Sequence, residues 1–283
     1  MIITQTKVNL IDHGVYYGTR MTNNTRHYRS KVNQRLVAAP AGAVLTHVWF
    51  ASQGISPGLV TYYVKSGWLR RLGEGAFVLK SGTPDWLGVV FGLQQKRGTT
   101  LHLGGRTALE LSGLAHFLPL GEQAPLYLFS RKGEWLPLWC KHLPWASRVR
   151  HVTSSFLPPE FGLREHPTER FAVRVSTPER AILEVLLQTV DAAGYEDVRL
   201  LFEGLGTLRP ELIQTLLEQC SSVKVKRLFL HFAELQRHAW LPQLDLTKVT
   251  LGSGKRVLVR GGRLDPKYLI TVPVSVEPPS NAP

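Results

Sequence analysis

The chain has 283 residues, 43% of them apolar and 19% charged, enough to bury a core and to exclude disorder along its whole length. At roughly 100–200 residues per domain, this length predicts about two domains. Net charge is +13 and the sequence pI is about 10.0, which points to a nucleic-acid partner.

No apolar run approaches the roughly 18 residues that cross a bilayer, so no membrane partner is expected. The N-terminal Met1-Ile2-Ile3-Thr4-Gln5-Thr6-Lys7 lacks the basic-then-apolar order of a signal peptide. Cys140 and Cys220 form no CxxC, which argues against a cysteine zinc site and a disulfide framework. The expected compartment is the reducing cytoplasm. The charge is uneven. Residues 1–82 carry net +8, residues 83–174 net +4 and residues 175–283 net +1. That distribution predicts that residues 1–82 suffice for DNA binding.

Residues 1–28 are polar and read as an arm; residues 28–39 read as a short helix ended by Pro40-Ala41-Gly42. Thr46 is placed to cap a helix over 47–53, and Gly54 to end it in a left-handed conformation. Ser56 caps a second helix with Pro57 at its first position, closing at Ser66-Gly67. Two apolar runs around Gly73-Glu74-Gly75 make a hairpin. Helix, turn, helix and hairpin form a winged helix-turn-helix domain over 29–82. Leu59, Val60, Tyr63 and Val64 share its inner face. Ser56, Thr61, Tyr62 and Lys65 lie outward, as groove reading requires. Arg70 and Arg71 begin the wing, within reach of phosphate or the minor groove.

The polar stretch 81–85 is the expected domain boundary, and 86–275 the second, mixed α/β domain; the fold class is therefore α+β. A helix is predicted over 86–95, a strand over 100–103 and a helix over 107–114. Strands are predicted over 126–129, 148–152 and 171–175. Thr177-Pro178-Glu179 opens a helix with Arg180 and Glu184 at i,i+4. Three more helices follow, opening near Glu196-Asp197, at Pro210 and at Val225. Strands over 248–251, 256–259 and 268–272, joined by glycine hairpin turns, lead to a disordered tail, 276–283. Lys224, Lys226 and Arg227, with Lys255 and Arg256, gather cations on an otherwise neutral domain and are candidates for contact with an acidic or phosphate-bearing partner.

No catalytic constellation emerges, so no enzyme activity, metal or cofactor is expected. Gly252-Ser253-Gly254-Lys255-Arg256 lacks the first glycine and the hydroxyl residue of a phosphate loop and reads as a hairpin turn. His231 and His238 are seven apart on one helix and read as surface residues.

The order of several short segments carries a family likeness. They are the winged helix-turn-helix at 44–80, Leu103-Gly104-Gly105-Arg106-Thr107-Ala108-Leu109-Glu110-Leu111-Ser112-Gly113-Leu114, Ser176-Thr177-Pro178-Glu179-Arg180-Ala181, Phe202-Glu203-Gly204-Leu205, Lys226-Arg227-Leu228-Phe229-Leu230 and the glycine-turned tail. From about residue 28 onward the chain resembles the AbiEi-type antitoxins of bacterial abortive-infection toxin–antitoxin systems. The resemblance implies two partners: promoter DNA bearing inverted repeats, and a nucleotidyltransferase-like AbiEii-type toxin. It implies autoregulation through the winged helix, and neutralisation through the second domain in the type IV manner, without a stable complex. The alternative is a winged-helix regulator whose second domain binds a small ligand.

Overall fold

The computed structural model describes residues 36, 39–115, 124–189, 191–259 and 261–274. The polar arm, nearly all of the helix expected over 28–39, Arg260 and the tail 276–283 lie outside the described residues. Pro40–Pro283 forms one compact unit.

The unit begins with a small three-stranded sheet and two helices. β1 (Leu45–Thr46) leads directly into α1 (His47–Ser52), whose first turn is closed by the Thr46 hydroxyl accepting from the Trp49 N–H. Gly54, at φ 68°, turns the chain as expected. α2 (Pro57–Lys65) starts on the Ser56 cap with Pro57 in its first turn. β2 (Leu69–Gly73) and β3 (Ala76–Leu79) follow as an antiparallel hairpin, and the sheet order is β1-β3-β2. β2 is therefore an edge strand. Helix, turn, helix and hairpin stand in the order the sequence predicts.

The larger part is built on a mixed five-stranded sheet. α3 (Trp86–Gln94) precedes β4 (His102–Leu103) and α4 (Gly105–Glu110). α4 starts two residues before the expected helix and stops four before its expected end. β5 (Leu126–Ser130), β6 (Val149–Thr153), β7 (Leu163–Pro167) and β8 (Ala172–Ser176) complete the sheet in the order β6-β5-β4-β8-β7. β4 pairs antiparallel with β5 and parallel with β8, so two segments far apart in sequence meet at its centre.

Four helices follow: α5 (Pro178–Gln188), α6 (Ala192–Glu203), α7 (Pro210–Gln219) and α8 (Val223–Leu235). Each packs one apolar face into a common core with Ile182, Leu186, Phe202, Leu216, Phe229 and Phe232. Asp191, not Glu196 or Asp197, caps α6; Asp197 instead pairs with Arg106 of α4 at 2.9 Å. A short sheet of β9 (Arg256–Val257), β10 (Arg263–Asp265) and β11 (Ile270–Val272), in the order β10-β11-β9, closes the described chain.

The tail corrects two expectations. Residues 248–251 form no strand; a 3-10 turn, Leu246–Lys248, stands there, with Asp245 capping it. The glycine segment at 252–255 is therefore not a hairpin turn. β9 instead pairs parallel with β11, and the loop before it is held by the Arg227 guanidinium.

Close packing spans the polar stretch 81–85. Asp85 caps α3 by accepting from the Gly88 N–H at 2.6 Å. The Val44 N–H donates to the Gly88 carbonyl at 3.0 Å, and a Cβ at Gly88 would collide with the backbone of Gly42. Val44, just before β1, and Ala76 and Val78 of β3 share one apolar core with Val89, Val90 and Trp139.

Candidate nucleic-acid interface

The second helix separates its faces as the 3.6-residue period requires. Val60 and Tyr63 are buried and Leu59 and Val64 half-buried, against β2 and α1. Ser56, Gly58, Thr61, Tyr62 and Lys65 are exposed. Thr61 Oγ1 donates back to the Pro57 carbonyl at 3.1 Å, which fixes its rotamer and leaves its lone pairs outward. A Cβ at Gly58 would meet nothing within 4 Å, so the packing of this chain does not demand a glycine there. Lys65 closes the last turn, where a cation also complements the helix dipole.

The β2–β3 hairpin separates two arginines that adjoin in sequence. Residues directly opposite in an antiparallel pair share a face. Arg71 lies opposite Phe77, and its guanidinium stands 5.5 Å from that ring on the side of α1 and α2. Arg70 lies opposite Val78, on the side of the shared core. Both arginines are exposed on the edge strand, so they flank it. The tip between them and β3 is short, and it carries an acid, Glu74.

The cations of the second domain divide differently from the sequence expectation. Arg227 is 1% exposed and donates to four backbone carbonyls: Leu251 at 2.9 Å, Gly252 at 3.0 Å, Gly254 at 2.6 Å and Leu269 at 3.3 Å. It is the peg that shapes the 252–254 loop. Lys226 is buried beside it. Lys224 Nζ donates to the Thr189 carbonyl at 2.7 Å and to that of Leu187 at 3.4 Å, satisfying carbonyls at the end of α5. Lys226 and Arg227 are thus turned into the fold, and the half-buried Lys224 is tied to the end of α5, so the three do not form the exposed basic patch that the sequence suggests. Lys255 and Arg256 remain exposed.

His231 and His238 also face inward. His231 Nε2 meets the Tyr195 hydroxyl at 2.8 Å and its Nδ1 the Asp265 carboxylate at 2.6 Å, linking α6, α8 and β10. His238 Nε2 donates to the Phe202 carbonyl at 2.7 Å. Among the described residues no group of His, Cys, Asp or Glu is placed to hold a metal ion.

One cluster escaped the sequence reading. Glu184 of α5 is fully buried and accepts from His102 Nε2 at 2.9 Å, the Gly105 N–H at 2.9 Å, Ser176 Oγ at 2.8 Å and Arg180 Nε at 2.8 Å. Burial alone would raise its carboxyl, but His102 and then Arg180 outweigh this and hold it down to about 2. Arg180 further donates to the Pro158 and Phe161 carbonyls, both at 2.6 Å. A cavity of about 310 Å³ opens beside Glu184, bounded by Arg106, Tyr127, Phe129, Asp191 and Asp197. The only signal in the sequence was the Arg180–Glu184 spacing; the partners His102 on β4 and Gly105 on α4 lie some 80 residues earlier.

Two family profiles match the chain in succession. That of the AbiEi antitoxin N-terminal domain of transcriptional regulators covers residues 28–120. That of transcriptional regulators of the AbiEi antitoxin type, of type IV toxin–antitoxin systems, covers residues 123–273. The chain belongs to the AbiEi antitoxin family of transcriptional regulators. The two profiles meet between residues 120 and 123, so the AbiEi N-terminal domain takes in α3, β4 and α4 as well as the two helices and hairpin before them. The crystal structure of the RV2827C protein from Mycobacterium tuberculosis has a similar fold, with a TM-score of 0.52 at 13% identity, covering 87% of this chain and 91% of that one. No curated protein matches. The buried Glu184 cluster joins two of the segments that carry the AbiEi likeness, Leu103 to Leu114 and Ser176 to Ala181, around one carboxylate.

Proposed function

We propose that this AbiEi-family chain represses its own promoter by binding inverted repeats through α2 and the wing. Its second domain neutralises a nucleotidyltransferase-like AbiEii-type toxin in the cytoplasm, without a stable complex. The observation that carries the DNA-binding half is the exposed face of α2, where Ser56, Thr61, Tyr62 and Lys65 stand opposite a buried apolar face. Small and hydrogen-bonding groups near the start of such a helix suit base edges, and a cation near its end suits phosphate. Arg70 and Arg71 add phosphate contacts that carry no sequence preference. Family membership supports the antitoxin half. Co-expression with the toxin from unrelated promoters tests it: growth is rescued if the reading holds and is not rescued if the chain is a regulator alone.

A second reading, a regulator with a ligand-binding second domain, draws on the cavity beside Glu184. A saturable rise in Tm with a metabolite, without toxin rescue, would favour it.

A further inference from the structure

Arg180 of α5 spends only part of its guanidinium on the protein. Nε donates to Glu184 at 2.8 Å, and Nη1 donates to the Pro158 and Phe161 carbonyls, both at 2.6 Å. The residue is 4% exposed, and among the described residues its Nη2 has no hydrogen-bond partner. Arg180 lines a cavity of about 190 Å³, distinct from the one beside Glu184. Ser130, Ser154 and Ser155 share its wall, and Arg131 stands exposed at its rim. Ser154 Oγ accepts from the Phe156 N–H at 3.4 Å, which leaves its own proton to donate. The exposed Ser155 hydroxyl has no partner among the described residues. Among those residues no Asp or Glu lines the cavity. Glu184 lies behind Arg180 and His102, and Glu134 stands 3.2 Å from the Nε of Arg131. Topology sets the place. β5 and β6 run parallel and both end here, at Ser130 and Thr153, and open α/β sheets bind ligands outside the carboxyl ends of their strands.

We propose that this cavity binds a small phosphate-bearing anion, with Arg180 Nη2 and the Ser154 and Ser155 hydroxyls donating to its oxygens. The inference rests on neither reading of function given above. Size argues for a small anion. Sites for drug-sized ligands run to about 300–1,000 Å³, so a cavity of about 190 Å³ takes a phosphate or a short monoester and not a nucleotide. Geometry argues for phosphate over carboxylate. A guanidinium grips a carboxylate through two parallel N–H bonds, but two of the three nitrogens of Arg180 are already committed to Glu184 and the two carbonyls. The remaining nitrogen must share its anion with donors arriving from other directions. A tetrahedral group, with oxygens on every side, allows that. Phe156 and Leu157, both buried, give the cavity an apolar side that suits the carbon chain of a monoester. A bound anion braces the 154–161 loop against α5, because it joins the serines to an arginine that already holds Pro158 and Phe161.

The test uses the full chain, with inorganic phosphate, glycerol 3-phosphate and acetate as probes at constant ionic strength. Tm and amide hydrogen exchange are followed in wild type, Ser155→Ala and Ser155→Asp. Arg180 is left intact, because the buried network depends on it. The proposal expects Tm to rise saturably with phosphate in wild type and exchange over residues 154–161 to slow, while acetate does neither. Loss of one hydrogen bond to a charged group weakens binding by about tenfold, so Ser155→Ala should need about tenfold more phosphate for half-saturation. Ser155→Asp, which sets a negative charge against the anion, should show no saturation. Tighter binding of glycerol 3-phosphate than of phosphate marks a monoester as the ligand, and the reverse order marks free phosphate. The proposal is overturned if wild type shows no saturable rise or if acetate matches phosphate. It is equally overturned if both Ser155 variants follow the wild-type curve, which would place the anion elsewhere on this basic protein.

Discussion

Glu184 on α5 accepts a hydrogen bond of 2.9 Å from His102 on β4, 82 residues earlier in the chain, and both side chains are buried. Arg180, Ser176 and the Gly105 N–H complete the shell, so a single carboxylate ties the central strand, the start of α4 and α5 together. Removing one partner of such a buried ion pair costs about 3–5 kcal/mol, because the others are left without a counter-charge. Glu184→Gln is expected to lower stability in urea by that order.

The same carboxylate sets a pH dependence. Its folded-state value, about 2, is depressed below the ordinary 4.5. A depressed carboxylate contributes stability that is complete above its unfolded value and is lost as pH falls towards the folded one. Stability should therefore decline between about pH 4.5 and 2, and less steeply in Glu184→Gln. Parallel urea midpoints for the two proteins across that range would contradict the assignment.

Arg227 is predicted to act through folding and not through a surface. Its guanidinium serves four carbonyls, so Arg227→Ala leaves buried acceptors unsatisfied at about 1–3 kcal/mol each. Arg227→Lys should restore little, since a single ammonium cannot reach the same fan of carbonyls. Any loss of toxin rescue in these variants should follow the loss of folded protein measured by soluble yield and Tm. A fully stable Arg227→Ala chain that fails to rescue would show a direct role.

These cations also mark where sequence reading reaches its limit. The caps at Thr46, Ser56 and Asp191, Pro57 in the first turn of α2 and left-handed Gly54 are local events, fixed within a few residues. Of these only Asp191 was missed, because Glu196-Asp197 imitates a helix start further along α6. The faces of α2 were legible because burial follows its period. Nothing local told that Arg227 would meet the carbonyls of 251–254 or that His102 would meet Glu184, since those partners are set by how sheet and helices close on one another. Charge counting treats a buried peg and a solvated lysine alike. For the same reason it could not tell that Arg70 and Arg71 leave the wing in opposite directions; the strand pairing decides that.

Gly58 is the place where stability and function should part. Space around it is open and it lies in a helix, so Gly58→Ala should stabilise the fold by about 0.5–1 kcal/mol through helix propensity. The added methyl should nonetheless weaken promoter binding if the first turn of α2 approaches the groove closely. Tighter or unchanged binding by a stabilised Gly58→Ala chain would place that turn away from DNA.

The two thiols should be inert in the native state. Burial pushes Cys140 up to about 12 and raises Cys220 as well. The thiolate is the nucleophile, so neither should react with a maleimide at neutral pH until the chain is unfolded. Rapid labelling of the folded protein would show that the core around Trp139 opens.

The central claim, that α2 reads sequence while the wing supplies affinity, is tested most directly by one competition titration. The full chain is bound to its own inverted repeat in the presence of a scrambled duplex, as wild type, as Thr61→Ala/Tyr62→Ala and as Arg71→Ala. The account predicts that the double variant loses discrimination, by about 1–3 kcal/mol for each base contact removed, with little change on scrambled DNA. Arg71→Ala should weaken both duplexes together and keep their ratio. An unchanged preference in the double variant, or an altered preference in Arg71→Ala with scrambled binding intact, would contradict it.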